Sequence, residues 1–172
     1  MEANLITKTI LEPVVFDVDG TLRCGKHRLD LLPPLDQMSN PRAFDAMNLA
    51  AVDDTPIWDT IKIARALHRA GHPVILLTRA NEIGREILED QCIKWDIPYA
   101  ELYMADYDDC SGDREYKEMR IKQIEQKYGR ILAFWDDQPK VCAHIRSLGY
   151  TVYHVEDPYE LNTPAGEQAK FN

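Results

Sequence analysis

The sequence predicts an α/β fold, a doubly wound parallel sheet in a single domain with no large cap. Short apolar runs with strand character alternate along the chain with longer segments of helical periodicity. That alternation, with right-handed crossovers, covers both faces of a parallel sheet with helices. The length of 172 residues and the hydrophobic content of 45% suit one buried core better than two. Functional side chains are therefore expected together, at the carboxyl ends of the strands.

Local signals place each element. Apolar runs flanked by turn residues predict strands at 13–16, 73–78, 101–104, 131–135 and 151–155. Helix caps and first-turn prolines predict that the intervening helices start at Thr55 and Pro56, Asn81, Asp113 and Pro139. Helix-breaking residues predict that these helices end at Gly71, Pro98, Gly129 and Gly149. We expect a single domain over residues 1–172, with its core at about 12–156. The segment at about 22–54 is long enough for a flap or a minimal cap that contains a short helix at 43–51.

Composition and charge argue against several classes of protein. The chain has 20 Lys and Arg against 29 Asp and Glu, and its formal net charge of −9 argues against an extended nucleic-acid-binding surface. No apolar run approaches the ~20 residues of a membrane-spanning helix. The amino terminus shows no secretory signal, so we expect a cytoplasmic protein without membrane contact. The four cysteines lack zinc-ligand spacing and are interpreted as reduced thiols.

Polar side chains follow three of the predicted strands. Asp17 and Asp19 follow the first strand, Thr78 ends the second, and Asp136 and Asp137 follow the fourth. Alone, a pair of acidic residues two positions apart is most often a loop cap, and a strand-end Thr most often bonds to backbone. Because the carboxyl ends of parallel strands meet at one edge of a sheet, the residues together predict a single polar crevice.

The segment VVFDVDGTL, from Val14 to Leu22, resembles the first motif of the haloacid dehalogenase (HAD) superfamily, an apolar run followed by D-x-D-G-T. The other motifs follow in the superfamily's order: Thr78 ends VILLT, a lysine lies in the predicted helix at 113–128, and Asp136 follows ILAFW. The resemblance covers roughly 12–156 and implies a HAD-like, Rossmannoid fold. It also implies a phosphatase or phosphomutase, since dehalogenases of the superfamily lack an Asp at the position of Asp19 and its transport ATPases carry Thr there.

The resemblance implies a role for each of these residues. Asp17 is the nucleophile that forms an aspartyl-phosphate intermediate. The ligands of Mg²⁺ are the Asp17 and Asp136 carboxylates and the backbone carbonyl of Asp19, with Asp137 an outer ligand through water, because hard oxygen donors suit this ion. Asp19 protonates the leaving alcohol and then takes a proton from water, which requires a raised pKa. Thr78 and the lysine bind and stabilise the transferring phosphoryl group.

Several lysines of the predicted helix at 113–128 compete for the catalytic position. If Asp113 caps this helix, Lys117 lies in its first turns, near the carboxyl edge of the sheet. Lys122 is about 140° around the helix and ~7.5 Å farther along it, and Lys127 is more distant still. We therefore expect Lys117 to be the catalytic lysine and the other two to be solvated.

Within the superfamily, the closer resemblance is to the 3′-phosphatase domain of bacteriophage polynucleotide kinase/phosphatase. It rests on the DREYKE segment around Lys117, the bare Asp-Asp pair, and a chain that stops soon after the last predicted strand. It implies removal of 3′-phosphate from the end of DNA or RNA, a nucleic-acid repair reaction. Arg79 is a candidate phosphate ligand, although this chain reads Thr-Arg-Ala where relatives often read Ser/Thr-Gly-Arg. A P-loop, which a kinase would need, is missing from the sequence.

Two other interpretations remain open at the level of sequence. The net acidity favours a phosphatase of nucleotides or other small phosphorylated metabolites, whereas an uncapped crevice favours a phosphate at the end of something larger. A non-enzymatic binding module that kept the fold is the third possibility. The presence of every polar position required for turnover favours an enzyme.

Overall fold

The computed structural model describes residues 11–156, and a parallel sheet of five strands lies at their centre. These strands are β1 (Val14–Phe16), β4 (Val74–Asn81), β5 (Glu101–Ala105), β6 (Ala133–Asp136) and β7 (Val152–His154). A separate antiparallel pair consists of β2 (Arg23–Cys24) and β3 (Thr55–Pro56). The sheet has the spatial order β5-β4-β1-β6-β7, with every neighbouring pair parallel. The predicted α/β fold is thus confirmed, with β1 at its centre.

The helices are α1 (Asp45–Leu49), α2 (Trp58–Arg69), α3 (Arg85–Lys94), α4 (Asp113–Tyr128) and α5 (Pro139–Ser147). The predicted start of α2 at Thr55 is wrong. Thr55 and Pro56 are extended instead, because they pair with Cys24 and Arg23 in the β2–β3 pair. Gly112, and not Asp113, is the residue before α4, and this frees the Asp113 side chain for the site described below. Within residues 11–156, no helix combines the length and the apolar content needed to cross a membrane.

The core has two layers, one on each face of the sheet. Side chains alternate along β1, so that Val14 and Phe16 pack on the face covered by α2 and α3 while Val15 packs on the face covered by α4 and α5. Leu88 of α3 and Ile124 of α4 are fully buried in the two layers. Helices on both faces leave the carboxyl edge of the sheet as the open side where polar residues gather.

The chain between β2 and β3 forms a small insertion above this edge. It contains α1 and short 3₁₀ helices at Lys26–Leu31, Leu35–Gln37, Pro41–Phe44 and Ala50–Asp53. Asn81, at the end of β4, anchors the insertion because its side-chain amide donates to the Pro41 carbonyl at 3.2 Å and accepts from Asn48 Nδ2 at 3.1 Å. The insertion agrees with the predicted fold without a large cap.

Candidate active site

The carboxyl ends of the central strands bring predicted polar residues to one edge of the sheet. Asp17 directly follows β1, Thr78 lies within β4, and Asp136 ends β6. Since β1 lies between β4 and β6, Asp17 is central, and its amide donates to the Trp135 carbonyl at 2.9 Å. The three polar side chains are buried. Buried polar groups must find partners within the protein, and here these partners come from α4 and from the β1–β2 loop.

Lys117 of α4 connects two of these carboxylates. Its ammonium group donates to Asp17 Oδ1 at 2.8 Å and to Asp136 Oδ2 at 2.6 Å. Asp113 Oδ1, one helical turn earlier, lies 4.0 Å from the same nitrogen. Gly20, in the loop that follows β1, adopts a φ of +81°, which lets the loop turn back tightly beside this edge.

The other candidate lysines of α4 lie on its exposed side. Lys122 pairs with Glu118 of the same helix at 2.9 Å, and Lys127 pairs with Glu101 of β5. Both side chains are more than half exposed. The structure therefore brings only Lys117 of the predicted candidates to Asp17.

Negative charge exceeds positive charge around Lys117. Burial raises the pKa of Asp17 well above its usual range, and nearby Asp136 and Asp137 raise it further against the opposing effect of Lys117. Burial and the Asp136 charge also raise the pKa of Asp137 to about 7. Burial alone would lower the pKa of Lys117, but Asp17, Asp136 and Asp113 outweigh it and raise that pKa, so the ammonium stays charged. This excess of carboxylates would be offset by a bound divalent cation.

The donor atoms fit Mg²⁺, which prefers hard oxygen ligands. Among the described residues, Asp137 Oδ1 is buried without a hydrogen-bond partner, and a Cβ on Gly20 would lie 2.1 Å from Asp137 Oδ2. Within residues 11–156 no group of three or more His, Cys, Asp or Glu side chains is arranged to hold a metal. The expected ligands are compatible with that finding, because they are the carboxylates of Asp17 and Asp136 and the backbone carbonyl of Asp19.

The carboxylate of Asp19 is held by a separate group of side chains, which we call the Asp19 clamp: Arg23, Arg28 and Thr78. Arg23 Nε donates to Asp19 Oδ1 at 2.9 Å, and Arg28 Nη2 donates to the same oxygen. Thr78 Oγ1 donates to Asp19 Oδ2 at 3.2 Å. Burial raises the pKa of Asp19, but the two guanidinium groups outweigh it and hold the pKa well below its usual range. This is the opposite of the raised pKa that the proton-donor role of Asp19 requires, and Asp19 is held as a carboxylate.

Arg79 makes its contacts away from Asp17. Its guanidinium donates to the carbonyl of Asp109 at 2.6 Å and to the carbonyl of Ser111 at 2.7 Å, and it lies 5.4 Å from the centre of the Tyr116 ring. These contacts hold the loop between β5 and α4 against the end of β4. Its assignment as a phosphate ligand stays a prediction, and none of its contacts within residues 11–156 supports it.

Two residues of this site, Arg23 and Asp113, were not assigned to it from the sequence. Arg23 and Arg28 are 1% and 2% exposed, and their position soon after D-x-D-G-T was a signal that they lie near the nucleophile. Asp113 was assigned only as a helix cap. Its spacing of four residues from Lys117 puts both side chains on one face of α4, which was a signal for a shared site.

The sheet and this arrangement of a D-x-D pair, a strand-end Thr, a helix lysine and an acidic pair define a phosphatase of the HAD superfamily. More narrowly, residues 11–158 match the family model described as the polynucleotide kinase PNKP phosphatase domain, and the chain belongs to that family. The resemblance found in the sequence is thereby confirmed.

Solved structures show the same fold. Two structures of the Pnkp1/Rnl/Hen1 complex match 87% of this chain at 23% identity, with TM-scores of 0.69 and 0.68. The matched part is 47% and 43% of those chains, so this chain spans less than half their length. A HAD-family enzyme from Bacteroides thetaiotaomicron, solved with magnesium and inorganic phosphate, matches at 15% identity over 92% of this chain and 98% of its own, with a TM-score of 0.59. A search of curated proteins found no match.

Proposed function

We propose that this chain is a Mg²⁺-dependent phosphatase that removes 3′-phosphate from the ends of DNA or RNA through an aspartyl-phosphate intermediate at Asp17. The observation that carries the proposal is the burial of Asp17 against Lys117 and Asp136, at the end of the central strand, in a chain of the PNKP phosphatase family. Magnesium in the Bacteroides relative supports the ion. The Pnkp1/Rnl/Hen1 structures, one described as an RNA repair complex, support a polynucleotide end as the substrate.

We assign each step of the reaction to a side chain of the site. An Asp17 oxygen attacks phosphorus in line, the bond from phosphorus to the 3′ oxygen breaks, and that oxygen takes a proton from Asp19. Water then attacks the phosphorus of the aspartyl phosphate and gives a proton to Asp19, which releases inorganic phosphate and regenerates Asp17. Lys117 balances charge on the nucleophile and on the transferring group. Bound Mg²⁺ would neutralise the repulsion between carboxylate and substrate.

Asp19 must change its protonation between these steps. The Asp19 clamp holds it as a carboxylate, which is the form that accepts a proton from water in the second step. In the first step Asp19 donates a proton, and the negative charge of a phosphate bound beside it raises its pKa and favours the protonated form.

Two arginines beside the site are not available to contact a long nucleic-acid strand. Arg23 and Arg28 are buried and engaged by the carboxylates of Asp19 and Asp54. The net charge of the chain is −9. Recognition therefore involves only the last few nucleotides.

A 3′-phosphorylated trinucleotide should consequently be hydrolysed nearly as well as a long 3′-phosphorylated oligonucleotide. Each phosphate contacted on a single strand contributes about −0.7 to the slope of log K against log salt, so we expect a slope of about −2 or shallower. Steady-state kinetics over a series of lengths and salt concentrations measure both. A steep slope together with a strong gain with length would contradict short-range recognition.

The substrate class is tested by comparing phosphate esters at equal Mg²⁺. We expect kcat/KM for a 3′-phosphorylated oligonucleotide to exceed that for the 5′-phosphorylated isomer and for mononucleotides by at least about tenfold, a difference of ~1.4 kcal/mol in transition-state binding. If mononucleotides or sugar phosphates were preferred by that margin, the chain would be a phosphatase of small metabolites instead.

The role of Asp136 in metal binding is tested by its Asn variant. An amide is a weaker ligand for Mg²⁺ than a carboxylate, so Asp136→Asn should raise the Mg²⁺ concentration needed for half-maximal activity by about tenfold or more. Activity titrated with Mg²⁺ after treatment with a chelator measures this. Loss of activity that no amount of Mg²⁺ restores would assign Asp136 to another role.

A further inference from the structure

Asp54 is buried directly behind the Asp19 clamp. It is the last residue of the insertion, immediately before β3, and its side chain is 0% exposed. Arg28 donates to it with two nitrogens, Nε to Oδ1 at 2.8 Å and Nη2 to Oδ2 at 2.7 Å. Arg23 Nε lies 3.2 Å from Asp54 Oδ2. Asp54 thus contacts both arginines of the clamp.

The same arginine nitrogen atoms contact both Asp19 and Asp54. Arg28 Nη2 contacts Asp19 Oδ1 as well as Asp54 Oδ2, and Arg23 Nε lies within ion-pair distance of the same two oxygens. A two-point contact with a carboxylate fixes the plane of a guanidinium, which a single contact does not. Asp54 therefore determines the direction from which Arg28 approaches Asp19.

Gln91 of α3 completes the support of Arg23. Its Oε1 accepts from Arg23 Nη1 at 2.8 Å, and its Nε2 donates to the Ala51 carbonyl at 2.6 Å. His27, which is partly exposed, places Nε2 2.9 Å from Asp54 Oδ1. Each arginine is thus held at a second point beyond Asp19, and the clamp is connected to the insertion and to α3.

We propose that Asp54 is a positioning residue for Asp19, because it orients the two arginines that fix the direction of the Asp19 carboxylate. The inference rests on the proposed function, in which Asp19 delivers a proton to the leaving oxygen. A proton donor must lie within hydrogen-bond reach of its acceptor, and a displacement of about 1 Å can cost on the order of 100-fold in rate. The contacts of Asp54 are with the clamp, so it acts through Arg23 and Arg28.

The test compares two substrates that differ in their need for an acid. The 3′ oxygen of an oligonucleotide is a poor leaving group that must be protonated, whereas p-nitrophenolate leaves as a stable anion. Because kcat/KM reports the steps up to departure of the leaving group, Asp54→Asn should lower kcat/KM for the 3′-phosphorylated oligonucleotide at least about tenfold more than for p-nitrophenyl phosphate. A residue that only stabilised the fold would lower both values equally.

Asp53→Asn is the matched control, because Asp53 is the exposed neighbour with the same side chain. Its kcat/KM values on both substrates should stay near those of the wild type. Gln91→Met is the second variant, to be used should Asp54→Asn fail to fold in thermal melting. It removes one support of Arg23 and should show the same selective loss. Equal losses of kcat/KM on both substrates in a folded variant would overturn the positioning role of Asp54 but not the proposed function. A wild-type protein inactive on both substrates with Mg²⁺ would overturn the proposed function, and this inference with it.

Discussion

Asp17→Asn is expected to lower kcat/KM by at least about 10³-fold, which corresponds to ~4 kcal/mol of lost transition-state stabilisation. The amide keeps the shape of the side chain but is a poor nucleophile and a weaker ligand for Mg²⁺. Steady-state kinetics with a 3′-phosphorylated oligonucleotide measure the effect. A variant that kept activity within about tenfold of the wild type would rule out Asp17 as the nucleophile, since only ~1.4 kcal/mol would be lost.

The same variant should be at least as stable as the wild type, which separates chemistry from folding. The pKa of Asp17 is raised in the folded protein, so the folded state binds its proton more tightly than the unfolded state does. Stability is therefore lost as the pH rises from the unfolded pKa toward the folded pKa, so at neutral pH the Asp17 carboxyl makes a net unfavourable contribution to stability, which is a cost. Asparagine removes that cost. Thermal melting with a chelator present should show an unchanged or higher midpoint for Asp17→Asn.

Lys117→Ala is expected to lower kcat/KM by about 10²- to 10³-fold, which is the size of effect seen when one preorganised donor is removed. Lys117 is 2% exposed and contacts Asp17 and Asp136, whereas Lys122 is 68% exposed and pairs with Glu118 of its own helix. Lys122→Ala, as the matched control, should keep activity within about twofold, because exposed pairs contribute little.

Lys117→Ala should also destabilise the protein by about 3 kcal/mol, because it leaves the carboxylates of Asp17 and Asp136 buried without their cation. Saturating Mg²⁺ should recover part of this loss, since the ion would supply positive charge at the same edge. Chemical denaturation with and without Mg²⁺ measures both effects. Equal activity losses for Lys117→Ala and Lys122→Ala would mean that Lys117 is not the catalytic lysine.

The parts of the fold with local signals were predictable from the sequence. The strands of the sheet are short apolar runs between turn residues, and the position of Lys117 follows from helical geometry once the start of α4 is known. The choice among the lysines needed only the spacing from Asp113. The apolar runs and the helical spacing are both local signals, because each lies within a few residues of the strand or side chain that it predicts.

The Asp19 clamp and Asp54 were not predictable in the same way. β2 and β3 have two residues each, too few for a strand pattern, and their pairing depends on the return of the chain after the insertion. Arg28 and Asp54 are 26 positions apart in the sequence, and only the folded insertion brings them together. The position of Arg23 and Arg28 soon after D-x-D-G-T indicates that they lie near the nucleophile, but in a sequence a buried arginine looks the same as a solvated one, so their contacts with Asp19 and Asp54 and their effect on the pKa of Asp19 could not be inferred.

The covalent intermediate at Asp17 can be trapped with the Asp19→Asn variant. With p-nitrophenyl phosphate and Mg²⁺, the leaving group departs without an acid, while hydrolysis of the intermediate lacks its base. We predict a burst of about one equivalent of p-nitrophenolate per protein, followed by slow turnover, and a phosphorylated peptide that contains Asp17 after an acid quench. Linear release from the first turnover, with no phosphorylated Asp17 peptide, would rule out the aspartyl-phosphate intermediate.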